Sequence, residues 1–288
     1  MKRVLVTGAN GQLGKSIRAL SKQFSQYRFI FTDIESLDIC DKDTLLAFAK
    51  THAVNYIVNC AAYTAVDKAE DEEVLSYKIN RDAVRNIGEV AAMIKGKVIH
   101  VSTDYVFDGT NSIPYVESDY TCPMSVYGRT KQAGELILKA VCKESVIIRT
   151  SWLYSEYGNN FVKTMISLGR KKDELNVVFD QIGTPTYAGD LASVILSIID
   201  HSEEESFKSG IYHYSNEGVC SWYDFAVKIF QLTDISCKVF PIDTKDYPTR
   251  AIRPQYSVLN KGKIKRTFGF TIPHWEESLW QMISKLKA

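Results

Sequence analysis

The sequence predicts an α/β fold: a doubly wound parallel sheet with helices on both faces, followed by a smaller C-terminal lobe. Three observations predict it. Strand and helix signals alternate through the first 150 residues, the pattern of parallel strands joined by crossover helices. A glycine-rich turn, Thr7-Gly8-Ala9-Asn10-Gly11-Gln12-Leu13-Gly14, joins the first strand to the first helix. After residue 151 the alternation gives way to aromatic and proline-rich segments.

In order, residues 2–7 read as a short apolar strand and residues 11–23 as a helix. Residues 27–32 form the second strand. Residues 41–50 have helical spacing, with Asp41 as N-cap. Residues 55–60 are the third strand, and 74–94 a long amphipathic helix. Residues 97–103 give the fourth strand, 126–142 a helix and 145–150 the fifth strand. Beyond them, 159–169 and 188–200 read as helices, 210–215 as a strand and 221–232 as an aromatic helix. Pro241, Pro248, Pro254 and Pro273 punctuate the tail. Residues 1–151 are therefore expected to form the dinucleotide-binding unit. Residues 152–288 form mainly a substrate-binding lobe, with segments of 188–215 returning to the sheet.

Composition narrows the class. The 288 residues are 45% hydrophobic and 24% charged, ordinary for a globular protein. A net charge of +1 gives no reason to expect nucleic acid or a membrane as partner. No apolar run approaches the roughly 18 residues of a membrane span. Val4-Leu5-Val6 is too short for a signal-peptide core. Cys40, Cys60, Cys122, Cys142, Cys220 and Cys237 are scattered, without metal or redox spacing. Reduced thiols and a cytoplasmic location are expected.

The glycine triplet carries specific meaning because strand, turn and helix stand in the required order. Gly8 permits the tight turn, Gly11 lets a pyrophosphate approach the backbone, and Gly14 allows close helix–strand packing. Asn10, Gln12 and Leu13 complete this cofactor turn. This is the Rossmann arrangement. Asp33, nineteen residues past Gly14, can accept hydrogen bonds from the adenine-ribose hydroxyls and would repel a 2′-phosphate. That favours NADH over NADPH, with Arg18 left open as a phosphate partner. Asn59-Cys60-Ala61-Ala62 ends the third strand with small residues where cofactor and backbone come close, and Tyr63 follows them.

The chemistry is expected at Thr103, Tyr127 and Lys131. Tyr127 and Lys131 lie four residues apart, on one helix face. A cation there would lower the phenol pKa from its usual ~10 and make Tyr127 a proton donor for carbonyl reduction. Thr103, at the end of the fourth strand, can hydrogen-bond both a substrate carbonyl and Tyr127.

These residues resemble the extended short-chain dehydrogenase/reductase superfamily and, within it, the dTDP-4-dehydrorhamnose reductases. The resemblance rests on Thr7–Gly14, residues 59–70, Ser102 to Gly109, Tyr127 to Lys131, Arg149-Thr150-Ser151-Trp152, Gly158-Asn159-Asn160-Phe161, residues 180–186 and Arg253-Pro254, in family order across most of the chain. It implies reduction of the 4-keto group of dTDP-4-dehydro-L-rhamnose to dTDP-L-rhamnose, with Thr103, Tyr127 and Lys131 as the catalytic trio. Asp38-Ile39 resembles the pair that flanks adenine. Val66, Asp104, Tyr105 and Trp152 match positions near the sugar, and Asn160 and Arg253 match candidates for the nucleotide diphosphate. The resemblance implies NADPH, NADH or both, and in some members a homodimer with interfacial Mg2+. No metal ligand is assignable from the sequence. Two alternatives stay open: a nucleotide-sugar epimerase or dehydratase of the same superfamily, or a non-enzymatic relative such as the regulatory β subunit of methionine adenosyltransferase. Dehydratases commonly follow the threonine with Asp-Glu, whereas Thr103 is followed by Asp104-Tyr105.

Overall fold

A computed structural model describes residues 1–287. The strands are β1 (Lys2–Thr7), β2 (Tyr27–Phe31), β3 (Tyr56–Asn59), β4 (Lys97–Thr103), β5 (Ser145–Thr150), β6 (Leu153–Tyr154), β7 (Glu174–Val178), β8 (Ile182–Gly183), β9 (Thr186–Tyr187), β10 (Gly210–His213), β11 (Cys220–Ser221) and β12 (Lys238–Ile242). The helices are α1 (Gln12–Leu20), α2 (Lys42–Thr51), α3 (Val66–Ala69), α4 (Glu73–Tyr77), α5 (Ala83–Met93), α6 (Val126–Val141), α7 (Phe161–Gly169), α8 (Ala188–Glu204), α9 (Trp222–Thr233), α10 (Gly262–Phe268) and α11 (Trp275–Lys287).

Six parallel strands form the main sheet in the order β10-β5-β4-β3-β1-β2. The chain leaves β1 toward β2 on one side and returns to β3 on the other. The carboxyl end of β1 is thus the switch point where open α/β sheets bind ligands. Alternation along the strands serves both faces: Val4 and Val6 pack with α8, while Leu5 packs with α2 and α5. α8 also lies along α1. The 188–215 segment therefore contributes a helix and the edge strand β10 to the first unit.

The C-terminal lobe is built otherwise. Its strands pair only in twos, β12 with β7, β11 with β8, and β6 with β9. Its own core gathers Tyr154, Phe225, Ile229, Trp275 and Leu279 from α9, α11 and the β6 region. The helix expected over 74–94 is interrupted: α4 passes through a π-helical stretch, Lys78–Asp82, before α5. There Asn80 turns inward. Its amide holds the Tyr63 backbone from both sides and reaches the Thr130 hydroxyl on α6 at 3.0 Å.

Candidate active site

The carboxyl ends of β1, β3, β4 and β5 open into one cleft of about 790 Å³. Ladder register brings these ends level: Thr7 pairs with Asn59, Asn59 with His100, and Thr103 with Thr150.

The glycine turn forms one wall. Gly8 is left-handed, with φ +62°, and a Cβ there would meet the Ala61 backbone nitrogen at 2.6 Å. A Cβ at Gly14 would meet the Gly8 carbonyl oxygen at 2.5 Å. Only glycine lets this turn close against β3. Gly11 is the N-cap of α1 and offers no side-chain cap, so the first-turn N–H groups stay available to an anion. This cradle fits a dinucleotide pyrophosphate. The lobe across the cleft clasps the same turn: the Asn160 amide and the Ser155 hydroxyl donate to Gln12 Oε1 at 2.9 and 3.1 Å.

Asp33, Leu37, Asp38 and Ile39 line the far end. Asp33 Oδ2 accepts from the Asn10 backbone N–H at 2.8 Å, and Oδ1 from Ile34 N–H. Each oxygen keeps accepting capacity for a ribose hydroxyl. Arg18 stacks on Phe31, with 4.3 Å from guanidinium to ring centroid. Among the described residues, Lys131 is the only cation lining the cleft.

Tyr127 lies in the first turn of α6, whose N-cap Ser125 accepts from the Gly128 N–H. A Cβ at Gly128 would lie 2.2 Å from the Tyr105 carbonyl oxygen, so the glycine lets α6 press against the exit of β4. Tyr105 meets Tyr127 edge to face at 5.5 Å. Thr103 Oγ1 donates to Asp104 Oδ1 at 3.0 Å and accepts from the Tyr105 N–H.

The expected lowering of the Tyr127 pKa by Lys131 is not what the structure shows. Burial raises Tyr127 above its ordinary value, a Thr103 hydrogen bond lowers it in part, and the Asp104 charge raises it further. Lys131 Nζ instead donates to the Val101 carbonyl at 2.7 Å. Its own pKa falls to about 8, chiefly by burial, against an opposing pull from Glu135. Burial disfavours the charged form of both groups, and neither is among the charges that shift the other. At neutral pH the tyrosine keeps its proton.

Asp104 is buried, and its pKa rises to about 6 because desolvation outweighs help from Ser257 and Thr103. Its Oδ2 and the nearby Ser102 hydroxyl are buried without a hydrogen-bond partner among the described residues. Both residues line the cleft, where a polar ligand would satisfy them.

Trp152 also lines the cleft, with a left-handed backbone, φ +47°. Its ring lies flat on Trp222, with centroids 3.6 Å apart and planes 9° apart, and Gly183 leaves room beneath it. Such strain in a non-glycine residue persists only where its surroundings hold it. Val66, at the start of α3, also lines the cleft.

Of four further expected positions, Asn160 lines the cleft, whereas Asn10, Tyr63 and Arg253 do not. Asn10 is exposed and serves through its backbone bond to Asp33. Tyr63 turns from the cleft, its hydroxyl donating to Glu72 at 2.6 Å. Asn160 caps α7 and holds Gln12, beside the glycine turn. Arg253 is engaged by the Asp67 carboxylate at 2.6 Å and the Tyr105 hydroxyl at 3.0 Å. Asp67 and Asn80 were missed, since each acts through partners far along the chain. The Mg2+ implied by resemblance gains no support: among the described residues no group of three or more His, Cys, Asp or Glu could hold a metal ion. All six cysteines are free, and no described helix is long and apolar enough to cross a membrane.

Comparison with known proteins adds an independent finding. The family model described as the RmlD substrate binding domain matches residues 1–288. A dTDP-4-dehydrorhamnose reductase of Aggregatibacter actinomycetemcomitans is 44% identical over 287 residues, covering 97% of each chain. A crystal structure of such a reductase from Clostridium acetobutylicum superposes with a TM-score of 0.95 at 44% identity, covering 99% of this chain and all of the other. A Bacillus anthracis dTDP-4-dehydrorhamnose reductase in complex with NADP gives 0.94 at 40% identity, with 99% and 100% covered.

Proposed function

Because the chain belongs to the RmlD substrate-binding-domain family, we propose that it reduces the 4-keto group of dTDP-4-dehydro-L-rhamnose to dTDP-L-rhamnose, with NADPH or NADH as reductant. The observation that carries the reading is a single cleft holding the glycine cradle, Thr103, Tyr127 and Lys131. Residues 1–151, with β10, act as the cofactor unit, and 152–288 mainly as the substrate lobe.

When bound, the dihydronicotinamide supplies the hydride for the carbonyl carbon. Thr103 hydrogen-bonds the carbonyl oxygen and orients it. Tyr127, protonated at working pH, gives its proton to that oxygen as charge builds there. Lys131 binds the nicotinamide-ribose hydroxyls and offsets the phenolate charge left on Tyr127, which solvent then reprotonates. Asp104 accepts from a sugar hydroxyl, and the Trp152 face covers the apolar side of the ring. Arg253 approaches the diphosphate by exchanging Asp67 for it. Asp33 favours NADH, while the NADP complex of the Bacillus relative supports NADPH use, so both serve.

A dehydratase reading finds no glutamate after Asp104, where the Tyr105 hydroxyl accepts from Arg253; an epimerase would hold its NAD through the cycle, so purified protein carrying bound nucleotide would favour that reading. A purely binding role leaves the Thr103–Tyr127–Lys131 cluster unexplained. A cytoplasmic site of action suits six free thiols. A homodimer rests on the resemblance and is read by light scattering.

The test follows absorbance at 340 nm with each cofactor, the keto sugar being generated in place from dTDP-glucose by its dehydratase and epimerase. Oxidation that requires the epimerase and yields dTDP-rhamnose is expected. No oxidation with either cofactor, by protein that binds them, overturns the reading.

A further inference from the structure

Behind the cleft, a chain of buried polar side chains crosses three strands and ends at Lys131. Thr7 Oγ1 donates to Asn59 Oδ1 at 2.7 Å. The Ala61 backbone N–H also meets Asn59 Oδ1, at 3.2 Å. Asn59 Nδ2 lies 3.0 Å from His100 Nδ1. His100 Nε2 lies 3.5 Å from Lys131 Nζ. All four side chains are at most 2% exposed.

The proton positions along this chain follow from donor and acceptor chemistry. A backbone N–H only donates, so the atom facing Ala61 must be the asparagine oxygen. The amide nitrogen then faces His100 and must donate to Nδ1. That leaves the imidazole proton on Nε2. A second proton on Nδ1 would oppose the Asn59 N–H, and burial independently holds the His100 pKa well below its ordinary value. His100 therefore turns an N–H toward the lysine.

We propose that Thr7, Asn59 and His100 act as positioning residues for Lys131: they lock His100 in the Nε2–H tautomer, which opposes an ammonium and accommodates a neutral amine. Lys131 is thereby poised to lose its proton near working pH, and its state is wired to the strand that carries the glycine turn. The other groups facing Lys131 do not cancel this. Cys60, at the end of β3, is a buried thiol whose pKa is pushed up to about 12, so it brings no charge. Glu135, on α6 itself, pulls the other way, but its carboxylate is shared with Arg149 of β5 in a buried pair with bonds of 2.9 and 2.7 Å. Burial, opposed by Glu135, already brings Lys131 down to about 8, and the His100 N–H adds to that push.

The inference deepens the reductase reading through Lys131, yet its test uses the protein without substrate, so the two can fail separately. Nitrogen-15 NMR of the imidazoles, with His100 assigned from the His100→Phe spectrum, should show a neutral ring with its proton on Nε2 from pH 5 to 9. A proton on Nδ1, or an imidazolium, overturns the proposal. Carbon-13 titration of the lysine side chains, with Lys131 assigned by Lys131→Met, should then give a rise in the Lys131 pKa in His100→Phe, which keeps a ring and removes the N–H. A fall or no change overturns it, since a histidine offering a lone pair would have been holding the proton on. Asn59→Asp should move the imidazole proton to Nδ1 and raise the Lys131 pKa by about one unit or more. In turnover, the pH-profile limb due to Lys131 should move upward in both variants, a shift that loss of packing alone would not produce.

Discussion

The two walls of the cleft are made by different means. On the sheet side, Thr7, Asn59, His100 and Thr103 sit on neighbouring strands whose ladders set their spacing. The features it offers are set by backbone: a left-handed Gly8, a bare helix N-terminus, and an asparagine held by a backbone N–H. The C-terminal wall has strands that pair only in twos and holds its site residues through side chains. Trp152 is kept strained by the face of Trp222, and Arg253 is held by Asp67 and Tyr105 from more than a hundred residues away. A ladder tolerates little displacement, whereas stacked rings and ion pairs can be exchanged for ligand contacts. Under the proposed function, the first wall holds the cofactor and the chemistry, the second the sugar nucleotide.

Substitutions that touch one wall should leave the other's ligand alone. The largest effect is expected from Tyr127→Phe. Turnover should fall by roughly 10²–10⁴-fold, the usual share of general acid catalysis, with cofactor affinity by fluorescence titration unchanged. Turnover within a few-fold of the parent would remove Tyr127 from the chemistry.

Asp104→Asn probes the seam between the walls. Because the folded pKa of Asp104 is raised from 3.8 to about 6, the folded state binds the extra proton between those values. Its contribution to stability is present below pH 4 and is lost as pH rises through 6, at roughly 1.4 kcal/mol per pH unit. The asparagine variant should match the parent in urea melts at pH 4 and exceed it by about 2–3 kcal/mol at pH 7, while binding the sugar nucleotide less well. A stability difference that does not vary with pH would refute this account of Asp104.

Asp33→Ala should raise the NADPH-to-NADH ratio of kcat/KM by roughly tenfold, the scale of a lost hydrogen bond to a charged group, without changing the sugar KM. A constant ratio would show that Asp33 does not face the ribose. The smallest effect is expected from Trp222→Leu, which unstacks Trp152. The sugar-nucleotide KM should rise by roughly threefold to tenfold, with cofactor binding intact. Equal losses for both ligands would break the division between the walls.

The sequence by itself determined the elements whose signals are local. Strands run together as apolar stretches, the glycine triplet states its turn by spacing alone, and Tyr127 and Lys131 share a face because a helix repeats every 3.6 residues. Hence the parallel sheet, the glycine turn and the grouping of Tyr127 with Lys131 were legible. The two-residue strands β6, β8, β9 and β11 were not, because two residues carry no periodicity. Nor was the π-helical stretch, whose extra residue brings Asn80 within reach of Thr130. Only the tertiary structure decided the charge states. A tyrosine beside a lysine looks acidified in sequence, but burial, which no spacing reveals, acts on both and leaves the tyrosine protonated. His100 joins a polar chain only because the fold sets Asn59 on one side of it and Lys131 on the other. Spacing along a chain sets which side chains share an element; the loss of water around them, and the donors that fold brings opposite, set their chemistry.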